Sequence, residues 1–193
     1  FGAGYAGFAA ALSHHRAGRR TLLIERHAAL LSESSWAFAT ATGDSTDPLW
    51  CEWQQRLACH RPVEARRHDG GIVEVLATDL VSTEKLPLLY FAAPFSAALD
   101  ADGLLAAVTL ATKSGPLVVR ARQWIDATDR GELATLVASA WRAPVPEAQV
   151  LTLFFRHPRA LSHTTATLQT PDGLPLTWEP SGWANEHTLS IRL

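Results

Sequence analysis

The chain has 193 residues, a formal net charge of −2, 47% hydrophobic and 19% charged residues, enough for one full domain and part of another. No concentrated basic face is present: Arg19-Arg20 and Arg66-Arg67 are short, interrupted pairs that read as solvated surface, so nucleic acid is excluded as a partner. No stretch reaches the roughly 18–20 apolar residues that span a bilayer, which excludes a membrane-spanning helix.

In chain order, residues 4–17 form an alanine-rich helix closed by Gly18. Thr21-Leu22-Leu23-Ile24 is a short apolar run of the kind that makes a buried parallel strand, and it closes on Glu25-Arg26. Residues 28–46 are rich in Ser, Thr, Gly and Asp and read as a partly irregular connection. Asp47-Pro48 supplies an N-cap and a first-turn proline, predicting a helix from Pro48 to about His60 with Leu49, Trp53 and Leu57 on one face. The two cysteines, Cys51 and Cys59, fall on that helix. Eight residues of helix separate them by about 12 Å, whereas a disulfide tolerates about 7 Å. Two reduced thiols follow, and with them a cytoplasmic location. A second helix is expected over Ile72–Ser82.

From Leu86 the period changes. Leu88–Leu99, Leu104–Thr112 and Pro116–Ile125 are extended runs separated by the turn formers Asp102-Gly103 and Lys113-Ser114-Gly115. They predict a three-stranded antiparallel meander over about 86–123. Its last strand runs into Trp124-Ile125-Asp126, and a helix follows over Glu132–Trp141. Pro144 and Pro146 mark a boundary, beyond which Val150–Arg156, Thr164–Gln169, Leu174–Trp178 and Thr188–Leu193 read as strands.

The residues with most chemistry come first. Gly2-Ala3-Gly4-Tyr5-Ala6-Gly7 is a G-x-G-x-x-G motif. Gly2 permits a tight strand-to-helix turn, Gly4 lets the backbone approach a diphosphate, and Gly7 lets the helix pack closely on the sheet. The unpaired amides and positive dipole end of the helix favour an anion. Glu25 lies about twenty residues on, at the end of the next strand, where a carboxylate accepts hydrogen bonds from ribose hydroxyls and disfavours a 2′-phosphate. The arrangement requires that carboxylate to face the glycine turn and the first helical amides to be open to the diphosphate. Only Phe1 precedes Gly2, so the buried strand expected before the turn is not in this sequence. A polypeptide of these residues alone is expected to be poorly soluble, without cofactor and inactive.

Other chemistry is sparse. The eight histidines show no metal-ligand spacing, and the adjacent His14 and His15 point to different sides of a helix, so no metal site is expected. The seven tryptophans read as core or interface packing. No general acid or base stands out.

The run Trp124-Ile125-Asp126-Ala127-Thr128-Asp129-Arg130-Gly131-Glu132-Leu133-Ala134, a strand end, small-polar turn and helix placed after a meander, makes the resemblance specific. With Leu22–Arg26, Asp102–Val108 and Lys113-Ser114-Gly115, it resembles the FAD-dependent oxidoreductase family, which has a glutathione-reductase-like FAD domain. The resemblance implies an α/β fold: a doubly wound, Rossmann-like FAD-binding domain over residues 1–142 with a three-stranded antiparallel β-meander, and the start of a β-rich substrate domain over 143–193. It also implies FAD held at its diphosphate by Gly2, Gly4, Gly7 and the amides of Tyr5 and Ala6. Glu25 would hold the adenosine ribose, Arg26 would lie near the adenine, and Ala127-Thr128-Asp129 would pass the adenosine end. Two positions depart from the family pattern. Many relatives have Ala-Thr-Gly at 127–129, and a Leu-Gly-Gly-like turn often stands where this chain reads Leu30-Leu31-Ser32-Glu33-Ser34-Ser35. The implied activity is oxidation or reduction of a small molecule, with hydride passing to or from the flavin. An NAD-dependent dehydrogenase and a degenerate, non-catalytic relative remain as alternatives.

Overall fold

Helix α1 (Tyr5–Arg16) begins after Gly4, whose extended backbone forms the N-cap, and buries Gly7, Phe8, Ala11 and Leu12 along one stripe. It ends at Ala17, and Gly18 at φ +74° turns the chain away. The computed structural model that shows this describes residues 1–37, 45–60, 68–138, 150–157, 165–181 and 185–192. Two units are distinguished, Phe1–Glu33 with Glu74–Pro144, and Ser34–Val73 with Val145–Leu193.

In the first unit, strand β1 (Leu23–Ile24) and β2 (Leu88–Leu89) pair in parallel. Leu23 N donates to Pro87 O at 2.9 Å and Glu25 N to Leu89 O at 2.8 Å, which extends the ladder at both ends. On the far side of β1, Gly2 N donates to Ile24 O at 2.9 Å. Phe1 then bridges to the segment after the meander: its amino group donates to Ile125 O and its carbonyl accepts from Ala127 N, both at 2.8 Å. Residues 1–2 therefore lie between β1 and 125–127, as the central position of a doubly wound sheet requires. The helix α4 (Gly70–Glu84) buries Val73, Ala77, Leu80 and Val81 at helical spacing. Glu84 at its end ion-pairs with Arg16 of α1 and offers its carbonyl to His15 Nε2 at 2.8 Å.

The meander is β3 (Ala92–Leu99), β4 (Leu105–Thr112) and β5 (Gly115–Arg120), antiparallel in that order. Helix α5 (Glu132–Val137) packs on β3. Ile24, Ala92, Val108, Leu110 and Leu133 form one buried cluster, with Phe1, Leu89, Leu105, Val119 and Trp124 against it. Trp124 satisfies its indole N–H on Leu105 O at 2.8 Å.

Three sequence expectations are corrected here. The run Leu88–Leu99 is two strands, because Phe91 adopts φ +53° and ends the parallel pair before the meander starts; the Lys113 ammonium covers its ring at 3.4 Å. The third meander strand stops at Arg120, short of Ile125. Helix α5 stops at Val137, where Ala138 is extended; Trp141, Pro144, Pro146 and the boundary at 142/143 lie outside the described residues.

The single turn α2 (Ser32–Ser35) interrupts the connection expected over 28–46, and it spans the division between the two units. In the second unit, α3 (Pro48–Ala58) starts as the sequence predicts: Asp47 Oδ1 accepts from Leu49 N at 3.0 Å and Trp50 N at 3.1 Å. It buries Trp53 and Leu57. Cys51 and Cys59 are both free and exposed. Strands β6 (Val150–Arg156), β7 (Ala166–Gln169), β8 (Pro175–Pro180) and β9 (Glu186–Arg192) form an antiparallel sheet in the order β6-β9-β8-β7. Trp178 stacks on His187 with centroids 4.8 Å apart and holds His157 edge-on at 6.2 Å.

Candidate functional site

The first unit carries a cleft of about 230 Å³ where the glycine turn, the end of β1 and the turn before α5 meet. Of the residues singled out from sequence, it brings together Gly2, Gly4, Glu25, Arg26, Ala127, Thr128 and Asp129. Tyr5, Ala6 and Gly7, in the first turn of α1, do not line it. Ser32, Ala92, Pro94 and Glu132 also line the cleft, and sequence reasoning did not find them. Ala92 and Pro94 come from the start of the meander, where nothing polar marks them.

Two of the glycines are fixed by packing. Gly2 has φ +84°, and a Cβ there would lie 2.5 Å from Ala127 O. A Cβ on Gly7 would strike the Gly2 carbonyl and sit 3.2 Å from Ala127 Cβ. The helix start is thus pressed against its own entry turn and against the segment at Ala127, a tighter constraint than general packing on the sheet.

Glu25 is buried, and its carboxylate faces the glycine turn as the sequence reading requires. Oε2 accepts from Ala3 N at 2.6 Å and Oε1 from His27 N at 2.8 Å. Each carboxylate oxygen has a second lone pair, so acceptor capacity remains toward the cleft. Arg26 is half-exposed and held by Glu132 Oε2 at 2.7 Å, which ties the end of β1 to α5.

The turn carrying Ala127-Thr128-Asp129 is organised by Asp126. Its Oδ1 accepts from Thr128 N at 3.1 Å and Thr128 Oγ1 at 2.6 Å, and Oδ2 accepts from Ala134 N at 2.8 Å. Burial pushes this carboxyl up, but the hydrogen bonds from the Thr128 hydroxyl and from the Ala134, Thr128 and Leu133 amides outweigh it and hold the group below the ordinary carboxylate value. Thr128 Oγ1 in turn accepts from Glu132 N at 2.8 Å, so a residue that lines the cleft satisfies the first amide of α5, whose N-cap is Gly131.

One feature departs from the reading of an open diphosphate position. Leu31 N donates to Ala3 O at 2.8 Å, which lays the segment before α2 along the glycine turn. Glu33 then reaches the helix start, where its Oε1 accepts from Tyr5 N at 3.1 Å and occupies the space a Cβ on Gly4 would fill. The Tyr5 amide thus donates to a carboxylate oxygen, and an amide at a helix start fits a diphosphate oxygen equally. The signal in sequence was the acidic residue at 33 where the resembling family has a glycine-rich turn.

No group of three or more His, Cys, Asp or Glu that could hold a metal occurs among the described residues. His14 and His15 instead meet Arg19 and the Glu84 carbonyl. No helix among the described residues is long and apolar enough to cross a membrane.

A glycine turn under a helix N-terminus, a carboxylate ending the next strand and an inserted antiparallel meander define the Rossmann-like class that binds FAD. The chain belongs to the FAD dependent oxidoreductase family, whose model matches residues 1–164. Among curated proteins nothing matches. Solved structures share the fold at low identity. One is PqsL of Pseudomonas aeruginosa, described as a probable FAD-dependent monooxygenase (16% identity, TM-score 0.60, all of this chain against 58% of that one). Another is aklavinone-11 hydroxylase, solved with FAD and aklavinone (17%, 0.57, all of this chain against 44%). A third is the tetracycline destructase Tet(51) (14%, 0.62, all of this chain against 56%). The chain thus spans less than two thirds of the length of each.

Proposed function

We propose that this chain supplies the FAD-binding part of an oxidoreductase acting on a small organic molecule. The observation that carries the reading is the Glu25 carboxylate, buried beside the glycine turn and fixed by the Ala3 amide at 2.6 Å. In that position it accepts the ribose hydroxyls of the adenosine half. Gly2, Gly4 and Gly7 give the turn its shape, and the amides of Tyr5 and Ala6 donate to the diphosphate. Arg26, braced by Glu132, flanks the adenine. Ala127, Thr128 and Asp129 form the opposite wall along the adenosine end. FAD, when bound, supplies the redox chemistry, and these residues bind and orient it. The meander favours FAD over a nicotinamide cofactor, because simple dehydrogenases carry no such insertion. The similar structures described as a hydroxylase and a monooxygenase support a small-molecule substrate.

Titration of the complete gene product with FAD, followed by the visible spectrum, tests the reading. Glu25→Gln keeps the shape and removes the charge. A hydrogen bond to a charged group contributes about 1.5–3 kcal/mol, so FAD affinity should fall at least about tenfold. Equal affinity in the variant, or binding of NAD and not FAD by the wild type, overturns the assignment.

A further inference from the structure

The diphosphate position of this site holds a side chain of the protein itself. Glu33 stands on α2, and a specific backbone path brings it to the start of α1. Leu31 N is bonded to Ala3 O, and Leu31 adopts φ +52°, a left-handed conformation that leucine rarely takes. Ala29, Leu30 and Leu31 are buried, which holds the segment in place against that strain. At the end of this path one Glu33 oxygen takes the Tyr5 amide, while the other, Oε2, is buried and accepts no hydrogen bond among the described residues. An unsatisfied buried carboxylate oxygen is a poor use of a helix N-terminus. A ligand with more acceptor oxygens would use the same amides better.

We propose that Glu33 is a resident anion of the diphosphate position and sets the chain's affinity for nucleotides by having to leave before a diphosphate can enter. The inference rests on the dinucleotide reading above. Two anions cannot share these amides, because both compete for the same donors and repel each other at contact distance. Glu33 reaches this position because Gly4 has no Cβ, which would fall on the carboxylate. Its effect falls on the phosphate-bearing part of a ligand and spares the nucleoside, which meets Glu25 and Arg26.

The experiment compares the complete gene product with its Glu33→Gly and Glu33→Gln variants, using ADP, adenosine and inorganic pyrophosphate as probes in calorimetry and thermal melts. ADP should bind Glu33→Gly about tenfold or more tightly than wild type, in line with what a charge at a helix N-terminus contributes. Glu33→Gln should lie between them, and adenosine should bind all three alike. Pyrophosphate alone should raise the melting midpoint of Glu33→Gly and leave that of wild type in place. Adenosine binding with an ADP affinity indifferent to residue 33 overturns this inference alone. No binding of either nucleotide by any of the three overturns it together with the dinucleotide reading.

Discussion

At Gly7 the space left for a side chain is already taken. A methyl group there would meet the Gly2 carbonyl, which is backbone and cannot swing aside, and Ala127 Cβ stands behind it. Relief requires the helix start to move away from its entry turn, and the same turn carries the Ala3 amide that fixes Glu25. Gly7→Ala should therefore lower stability by about 1–3 kcal/mol, the usual cost of forcing a methyl group into a packed site. Thermal melting measures that loss, and FAD titration should show weakened binding in the same variant. Gly18 makes the contrast: it has open space around it, so its only demand is its positive φ. Residues of one type thus serve different ends, and the sequence motif alone ranks them equally.

Among the elements, the turn from Asp126 to α5 behaves as one unit. The Asp126 carboxylate gathers the Thr128 and Ala134 amides and the Thr128 hydroxyl, so the wall of the cleft and the start of the helix depend on its charge. Its folded-state pKa lies below the unfolded value, so its contribution is fully present above pH about 3.9 and is lost as pH falls through the folded pKa. Asp126→Asn should cost about 1–2 kcal/mol near neutral pH, discounted because the group is partly solvated. The gap between wild-type and variant melting midpoints should close in acid, below about pH 4. A gap independent of pH would mean that shape and not charge holds the turn. This element also shows how far the sequence could be read. The turn and the following helix were visible because Ile125-Asp126 gives way to small polar residues and then to Glu132–Val137. The helix end was not, since Ala138 continues an apolar pattern while leaving helical backbone. Likewise Leu88–Leu99 reads as one extended run, and only the left-handed backbone at Phe91 divides it between two sheets. Positive φ at a non-glycine residue leaves no mark in hydrophobic periodicity. The same reason hid the approach of Glu33, which depends on Leu31 at φ +52°.

On the scale of the whole molecule, the residues assigned to the nucleotide all belong to the first unit, Phe1–Glu33 with Glu74–Pro144. The sheet β6–β9 contributes none of them. Sequence patterning showed the alternation of apolar runs with helices and the later succession of short strands, but carried no sign that Ser34–Val73 groups with Val145–Leu193. Ligand that binds only the folded state stabilises it by about 2.7 kcal/mol at a hundredfold excess over Kd. Local opening, however, is suppressed first in the segments the ligand touches. ADP carries the adenosine and diphosphate groups without the flavin, so its footprint is the cleft itself. Hydrogen exchange with and without ADP should slow at amides of residues 2–7, 23–27 and 127–134. Amides of β6–β9 should exchange at their ligand-free rates, measured below the onset of global unfolding. Equal protection in that sheet would mean that the nucleotide's contacts extend beyond the glycine turn, Glu25 and the Asp126 turn, and the site drawn from those three elements would be incomplete.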